Sequence, residues 1–174
     1  TSKIGNVNDI PSGYVYVSGT KIEDETLTAD LKYLRDDDGL PLFNEFSYKW
    51  ERSSDDGKTW LDISSNATGK TYQLGDDDVN KVLSVLVTYA DNNNTPETVR
   101  SLKTEAIRNF NDLPTGELAI TSSNGAMAED QTLTVNTSQI DDADGLGVFS
   151  YQWQMEGESS DWQNIDGATG TSFK

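Results

Sequence analysis

The five residues FSYKW, at 46–50, decide the class of fold, and they return almost unchanged as FSYQW at 149–153. Their aromatic side chains occupy alternate positions with polar residues between them. Alternation with a period of two is typical of a β-strand that buries one face. Because no segment of the chain shows a convincing helical period, the pattern predicts an all-β protein in which Trp50 and Trp153 are core residues.

The strand belongs to a longer internal repeat. Five motifs recur in the same order at an offset of 101 to 106 residues. With the second copy in parentheses, they are NVNDIPSG at 6–13 (109–116), EDETLT at 23–28 (129–134), DDDGL at 36–40 (142–146), FSYKW at 46–50 (149–153) and ATG at 67–69 (168–170). Ordered self-similarity of this kind is the sequence signature of tandem structural units.

The repeat predicts two unequal domains. A complete immunoglobulin-like β-sandwich is expected over 1–108, and the N-terminal part of a second one over 109–174, because the second copy has nothing that corresponds to 74–108. We expect the chain to be a segment of a longer array. A second unit without its fifth to seventh strands would leave apolar faces and strand edges uncovered.

Seven short strands are predicted in the first unit, separated by turn signals such as Asp56-Gly57. Their predicted ranges are 14–19, 25–31, 45–53, 59–64, 70–74, 81–90 and 97–106. The strand at 81–90 places Leu83, Val85, Val87 and Tyr89 on one face. Seven short strands in about 100 residues, with a Trp on the third, are typical of an immunoglobulin-like sandwich.

Composition excludes many functions. The 13 basic and 30 acidic residues give a net charge of −17, which argues against nucleic acid and anionic membranes as partners. Histidine and cysteine are absent, so disulfides, zinc fingers and histidine-based triads are excluded. A bound metal would be held by oxygen atoms, as Ca²⁺ or Mg²⁺ are. No apolar run approaches the roughly 20 residues that span a bilayer.

Sandwich topology predicts where the acidic loops meet. Loops between successive antiparallel strands fall alternately at the two poles of the sandwich. The N-terminal pole of the second unit should gather Asp112 with Asp142 and Asp144, and the opposite pole of the first unit should present 23–25 and 76–78. Two carboxylates about 4 Å apart repel by on the order of 4 kcal/mol at an effective dielectric constant near 20, which favours a shared divalent cation.

The same argument predicts a partial site at the N-terminal pole of the first unit. Its acids are Asp9 from the linker, Asp36 and Asp38 from the DDDG loop, and Asp91 from the loop after 81–90. Its remaining ligands would come from a preceding repeat.

Two local alternatives were weighed for these loops. An EF-hand requires an oxygen ligand two positions before Asp36 or Asp142, but Leu34 and Ile140 stand there, so that interpretation fails. Asp-Gly turns also use aspartate for local hydrogen bonds with the acids in solvent, and this alternative stays open for Asp142 and Asp144.

Taken together, NxNDxPxG, DxDGL, SYxW, ATG and LGDDDV resemble the tandem immunoglobulin-like or cadherin-like extender repeats of large bacterial RTX-type surface adhesins. The resemblance covers nearly the whole chain. It implies Ca²⁺ as the cofactor and a non-catalytic role on the bacterial cell surface after secretion, in attachment and biofilm formation. The ligands it implies are Asp112, Asp142 and Asp144, with Glu23 as the upstream partner and Asn109 and Asn111 as contributors.

The resemblance also implies the partners. They are calcium and neighbouring repeats of the same chain, without membrane insertion, while other domains bind the ultimate surface ligand. The alternative function is a carbohydrate- or protein-binding sandwich of a secreted protein. An enzyme is disfavoured because the acids repeat at matching positions of both units, whereas a catalytic pair normally occurs once in one cleft.

Overall fold

The computed structural model describes residues 5–42, 45–63, 67–158 and 160–174. The chain divides into two compact units, Thr1–Phe110 and Asn111–Lys174. Apart from one 3₁₀ turn at Asp76–Asp78, the regular structure of the described ranges is antiparallel β-sheet, so the all-β prediction is confirmed. No helix in this part of the chain is long and apolar enough to cross a membrane.

In the first unit the described strands are β1 Ser12–Gly13, β2 Tyr16–Ser18, β3 Thr26–Asp30, β4 Leu34–Arg35, β5 Ser47–Ser53, β6 Leu61–Asp62, β7 Thr71–Gln73, β8 Val82–Ala90 and β9 Pro96–Arg100. One sheet has the order β2-β3-β7 and another the order β6-β5-β8-β9, while β1 pairs with β4. In the four-stranded sheet Trp50 lies opposite Val85, and Ser47 opposite Thr88. This register brings the loop before β5 beside the loop after β8.

Buried side chains from both larger sheets form one hydrophobic cluster. The alternation predicted for β8 is confirmed, because Leu83, Val85, Val87 and Tyr89 are all buried. Trp50 is fully buried, and its indole N–H donates a 2.9 Å hydrogen bond to the carbonyl oxygen of residue 69. This bond satisfies the polar end of the indole inside the core.

Each predicted strand of the first unit overlaps an observed strand, which is shorter, while β1 and β4 were not predicted. The strand predicted at 97–106 ends at Arg100, because the following amides bond to two different segments of the chain. Ser101 N donates to Val85 O, whereas Leu102 N donates to Val15 O at 3.1 Å. Position 64, at the end of the predicted 59–64 strand, lies outside the described residues.

The second unit contains β10 Ala119–Ser122, β11 Leu133–Asn136, β12 Gln154–Glu156, β13 Trp162–Asn164 and β14 Ser172–Phe173. Its sheets have the orders β10-β11-β14 and β12-β13. The expectation that the fifth strand would be missing is wrong, because β14 pairs with β11. Leu133 lies opposite Phe173 in the way that Leu27 lies opposite Tyr72 in the first unit.

Trp153 repeats two contacts of Trp50, and its predicted core position is confirmed. It is 7% exposed, and its indole N–H donates to the carbonyl oxygen of Gly170 at 2.9 Å. Its ring centroid lies 5.7 Å from that of Phe173, the same distance as between Trp50 and Tyr72. The aromatic motif therefore determines the same local packing in both units.

Candidate cation site

The DDDG loop between β4 and β5 forms a tight turn. Asp38 N donates to Asp36 Oδ1 at 3.0 Å, and Gly39 N donates to Asp36 O at 3.1 Å. Gly39 has a φ of +96°, and a Cβ there would lie 2.1 Å from the side chain of Asn92. Aspartate at the first position and glycine at the fourth thus shape the loop through local bonds.

The loop between β8 and β9 is organised by Asp91. The carboxylate is 4% exposed, and its Oδ1 accepts hydrogen bonds from Asn93 N at 2.8 Å and Thr95 N at 2.7 Å. Its Oδ2 is buried and has no hydrogen-bond partner among the described residues. A buried carboxylate oxygen in this state lacks compensation for the water it has lost.

These two loops place three carboxylates together. One carboxylate oxygen from each of Asp36, Asp38 and Asp91 lies within 4.8 Å of the others. Asp36 and Asp38 are partly exposed, so an ion could reach the cluster from solvent. The structure thus brings together three of the four acids predicted for this pole.

Asp9, the fourth predicted acid, contributes its main chain. Asp9 N donates to Asp38 Oδ2 at 2.7 Å, and Asn6 Nδ2 donates to Asp38 Oδ1 at 2.7 Å. Asn93 Nδ2 donates to the same Oδ1 at 3.0 Å. The hydrogen bond from the Asp9 amide, and to a lesser extent the one from the Asn6 side chain, holds the pKa of Asp38 below its usual value, so Asp38 is ionised at neutral pH.

Tyr89 connects the cluster to the hydrophobic core. Its hydroxyl donates to Asp36 Oδ2 at 2.7 Å, and its ring lies 5.3 Å from that of Phe46. Burial, and to a lesser extent the hydrogen bond to Asp36, raises the pKa of Tyr89 well above its usual value. The hydroxyl therefore keeps its proton and remains a hydrogen-bond donor. Sequence analysis assigned Tyr89 to the core only and missed Asn6 and Asn93. The match between Asn6 and Asn109 in the repeated linker was the available signal for Asn6.

A second acidic pair lies elsewhere in the first unit. Carboxylate oxygens of Glu23 and Asp76 lie within 4.8 Å of each other. Glu23 is 2% exposed, and its Oε2 accepts a 3.3 Å bond from Phe110 N. Glu23, the predicted upstream ligand, is therefore hydrogen-bonded to the main chain at Phe110, two residues before Asp112.

The acids that follow Asp76 do not behave as predicted. Asp78 was expected to face the pole, but it is fully buried and accepts bonds from Tyr72 Oη at 2.8 Å and Arg52 Nη1 at 3.1 Å. Asp77 also pairs with Arg52, at 3.1 Å. Because Arg52 on β5 reaches both carboxylates, these two acids stabilise the turn instead of offering oxygens at the pole.

In the second unit the acidic loop has the same hydrogen bonds as in the first. Asp144 N donates to Asp142 Oδ1 at 3.0 Å, and Asp112 N donates to Asp144 Oδ2 at 2.8 Å. These bonds correspond atom for atom to those that join Asp38 to Asp36 and Asp9 to Asp38.

No third carboxylate completes a cluster with Asp142 and Asp144 within the described part of that unit. The third acid of the first unit, Asp91, comes from the loop between β8 and β9, and the described residues of the second unit contain no counterpart of this loop. The amides of Asn109 and Asn111 donate to the carbonyl oxygen of the next residue, at 3.3 and 2.8 Å.

The donor atoms at the Asp36, Asp38 and Asp91 cluster fit a hard divalent cation. All three are carboxylate oxygens, and the chain has no histidine or cysteine to offer a softer ligand. Three carboxylate oxygens within 4.8 Å of one another are compatible with a shared Ca²⁺ or Mg²⁺.

Comparison with known proteins adds no family assignment. A scan against models of protein families finds no match to this chain, and a search of curated proteins finds none either.

Proposed function

We propose that this chain is a non-catalytic, calcium-binding extender module of a bacterial surface adhesin, in which Ca²⁺ stiffens the junctions between neighbouring repeats. The observation that carries the proposal is Asp91 Oδ2, a buried oxygen without a hydrogen-bond partner in the described ranges, beside the carboxylates of Asp36 and Asp38. A divalent cation is the natural partner for such an oxygen.

The contacts of Asp38 suggest how an ion would stiffen a junction. Asp38 faces the acidic cluster and also accepts bonds from the linker at Asn6 and Asp9. An ion that fixes Asp38 therefore also fixes the path of the linker at the N-terminal side of the unit. Without the ion, repulsion among the three carboxylates loosens both.

The sheet orders support an immunoglobulin-like sandwich for each repeat. The orders β2-β3-β7 and β6-β5-β8-β9, with Trp50 buried between strands of both sheets, fit that architecture. The identical hydrogen bonds around Asp36 and Asp142, and around Trp50 and Trp153, support tandem units.

The energy required is modest. Extracellular calcium modules have dissociation constants of about 10⁻⁴ to 10⁻³ M, and calcium at ten times that value stabilises a site by about 1.4 kcal/mol. Three carboxylates supply part of the 6 to 8 oxygens that Ca²⁺ takes, and we expect carbonyl groups, water and a preceding repeat to supply the rest. In a secreted array, many such junctions would respond together to the calcium of the medium.

Calcium titration with a matched control from the same loop tests the proposal. Asp37 is exposed and is not a member of the cluster. We expect calcium to raise the melting temperature of the wild type and of Asp37→Asn by the same amount, and of Asp36→Asn and Asp38→Asn by much less. Hydrogen exchange of the Asp9 amide, which bonds to Asp38, should slow in calcium only for the first two. Equal responses of all four proteins would refute the assignment.

The alternative of a carbohydrate-binding module expects an open aromatic platform. The exposed tyrosines at β1 and β4 do not form one. Tyr14 and Tyr33 stack on each other with centroids 5.0 Å apart, and Lys32 Nζ lies 5.4 Å from the Tyr33 centroid. The stack covers one face of each ring, and Lys32 lies over the ring of Tyr33.

A further inference from the structure

The second unit exposes an apolar face that the first unit covers. Leu118 and Ile120 are 55% and 45% exposed, whereas Val15 and Val17, at the same positions of the first unit, are 0% and 3% exposed. The correspondence follows from pairing, since Ile120 lies opposite Val135 as Val17 lies opposite Ala29.

This face lines a groove of about 440 Å³. Its walls include Leu118, Ile120, Val135, Tyr151, Trp153 and Trp162. Trp162 is 66% exposed, which is unusual for the largest apolar side chain of a fold. The groove therefore exposes core-type side chains instead of a polar surface.

One wall of the groove, residues 149–153, also lacks the partner strand that the matching residues have in the first unit. Residues 149–153 belong to no strand in the described part of the chain. In the first unit the matching residues enter the β5–β8 ladder, where Tyr48 lies opposite Val87 and Trp50 opposite Val85. Trp153 N donates to Ala168 O and Trp153 O accepts from Ile165 N, but no backbone hydrogen bond of residues 149–152 is found in the described part of the chain. Unpaired main-chain groups beside exposed apolar side chains form a template for adding strands.

Charge complementarity narrows the occupant further. In the first unit, cations from the covering strand and the residues after it pair with acids on β5 and its hairpin, as Arg100 with Glu51 and Lys103 with Asp56. The matching hairpin of the second unit carries the exposed acids Glu156, Glu158 and Asp161. No salt bridge involves them among the described residues.

We propose that this face binds a two-stranded antiparallel β-segment with the chemistry of β8 and β9. Its inner strand carries alternate aliphatic residues that fill the groove, and its outer strand carries basic residues that face the hairpin acids. Its inner strand pairs with 149–153 so that aliphatic side chains lie opposite Tyr151 and Trp153. Closure of this face needs no calcium.

The test is a graft onto the full chain. Phe173 pairs with Leu133 as Tyr72 pairs with Leu27, so Lys174 corresponds to Gln73. A second copy of residues 74–108 is therefore appended directly after Lys174. Hydrogen exchange of the amides at 149–152, which have no partner strand in the ungrafted chain, is measured in a chelator, which separates this result from the calcium hypothesis. We expect exchange to slow by on the order of 100-fold relative to the ungrafted chain.

Two controls keep the result specific. Val85→Asp with Val87→Asp, made only in the appended copy, should abolish the protection, and Arg100→Glu with Lys103→Glu in that copy should reduce it. Protection that is absent from the intact graft, or equal in the intact and aspartate grafts, would overturn the proposal. So would an ungrafted chain that sediments as a dimer with the amides at 149–152 already protected, because a second copy would then close the face.

Discussion

Asp91→Asn separates the two roles of the buried carboxylate. The substitution conserves shape and keeps an oxygen that can accept from Asn93 N and Thr95 N, but it removes the charge and replaces one carboxylate oxygen by an amide nitrogen. If Asp91 serves a cation, the effect of this change on stability must depend on calcium.

The magnitude follows from the spacing of the carboxylates. At the upper limit of 4.8 Å and an effective dielectric constant of about 20, the Asp36–Asp91 repulsion is about 3.5 kcal/mol, and a shorter separation increases it. Partial exposure of Asp36 reduces this to on the order of 1 kcal/mol. In a chelator, Asp91→Asn should therefore be as stable as the wild type or more stable by about that amount, which corresponds to roughly 4 °C in melting temperature.

In calcium the order should reverse. The wild type gains about 1.4 kcal/mol at ten times its dissociation constant, and the variant loses most of that gain because a ligand is missing. Calorimetric melting of both proteins in chelator and in millimolar calcium measures the crossover, and isothermal titration measures the lost affinity. A variant destabilised equally in both buffers would show that Asp91 only organises its loop, and the cation site would be refuted.

Three further predictions concern stability. Asp78→Asn should lower the free energy of unfolding in urea by about 2 kcal/mol, because it removes the buried charge opposite Arg52 and replaces one of the two accepting oxygens by an amide nitrogen. Asp77→Asn, at a side chain 84% exposed, should change it by less than about 0.5 kcal/mol. Gly13→Ala should cost roughly 2 kcal/mol or more, since φ is +79° and the new Cβ would lie 1.9 Å from a backbone oxygen, whereas Gly75→Ala meets nothing within 4 Å and should be nearly neutral. The hydrogen bond from the Ser53 hydroxyl is the main cause that lowers the pKa of Asp55 from 3.8 to about 2. The stabilisation that ionised Asp55 gives the fold is therefore present above pH 4 and is lost as the pH falls towards 2. Acid unfolding of the wild type and Asp55→Ala should therefore differ at neutral pH and converge near pH 2.

The sequence by itself determined the features that neighbouring residues control. Alternation in FSYKW predicted the strand β5, and in both copies it predicted the burial of Trp50 and Trp153, although FSYQW itself forms no strand. The acidic Asp-Gly loops form through bonds between residues two or three positions apart, so both copies have the same geometry. The absence of histidine and cysteine limited any metal to oxygen ligands.

The tertiary structure decided which acids meet. Asp91 joins the cluster because the register of β5 and β8 brings their loops together, and Tyr89 reaches Asp36 across 53 positions of sequence. The same strand β5 carries Arg52, which draws Asp78 into the interior although Asp76, two residues earlier, lies beside Glu23. Local sequence patterns could not separate these acids, because their charges and their neighbours in sequence are alike. Only long-range strand pairing determines which carboxylate meets a basic side chain and which meets another carboxylate.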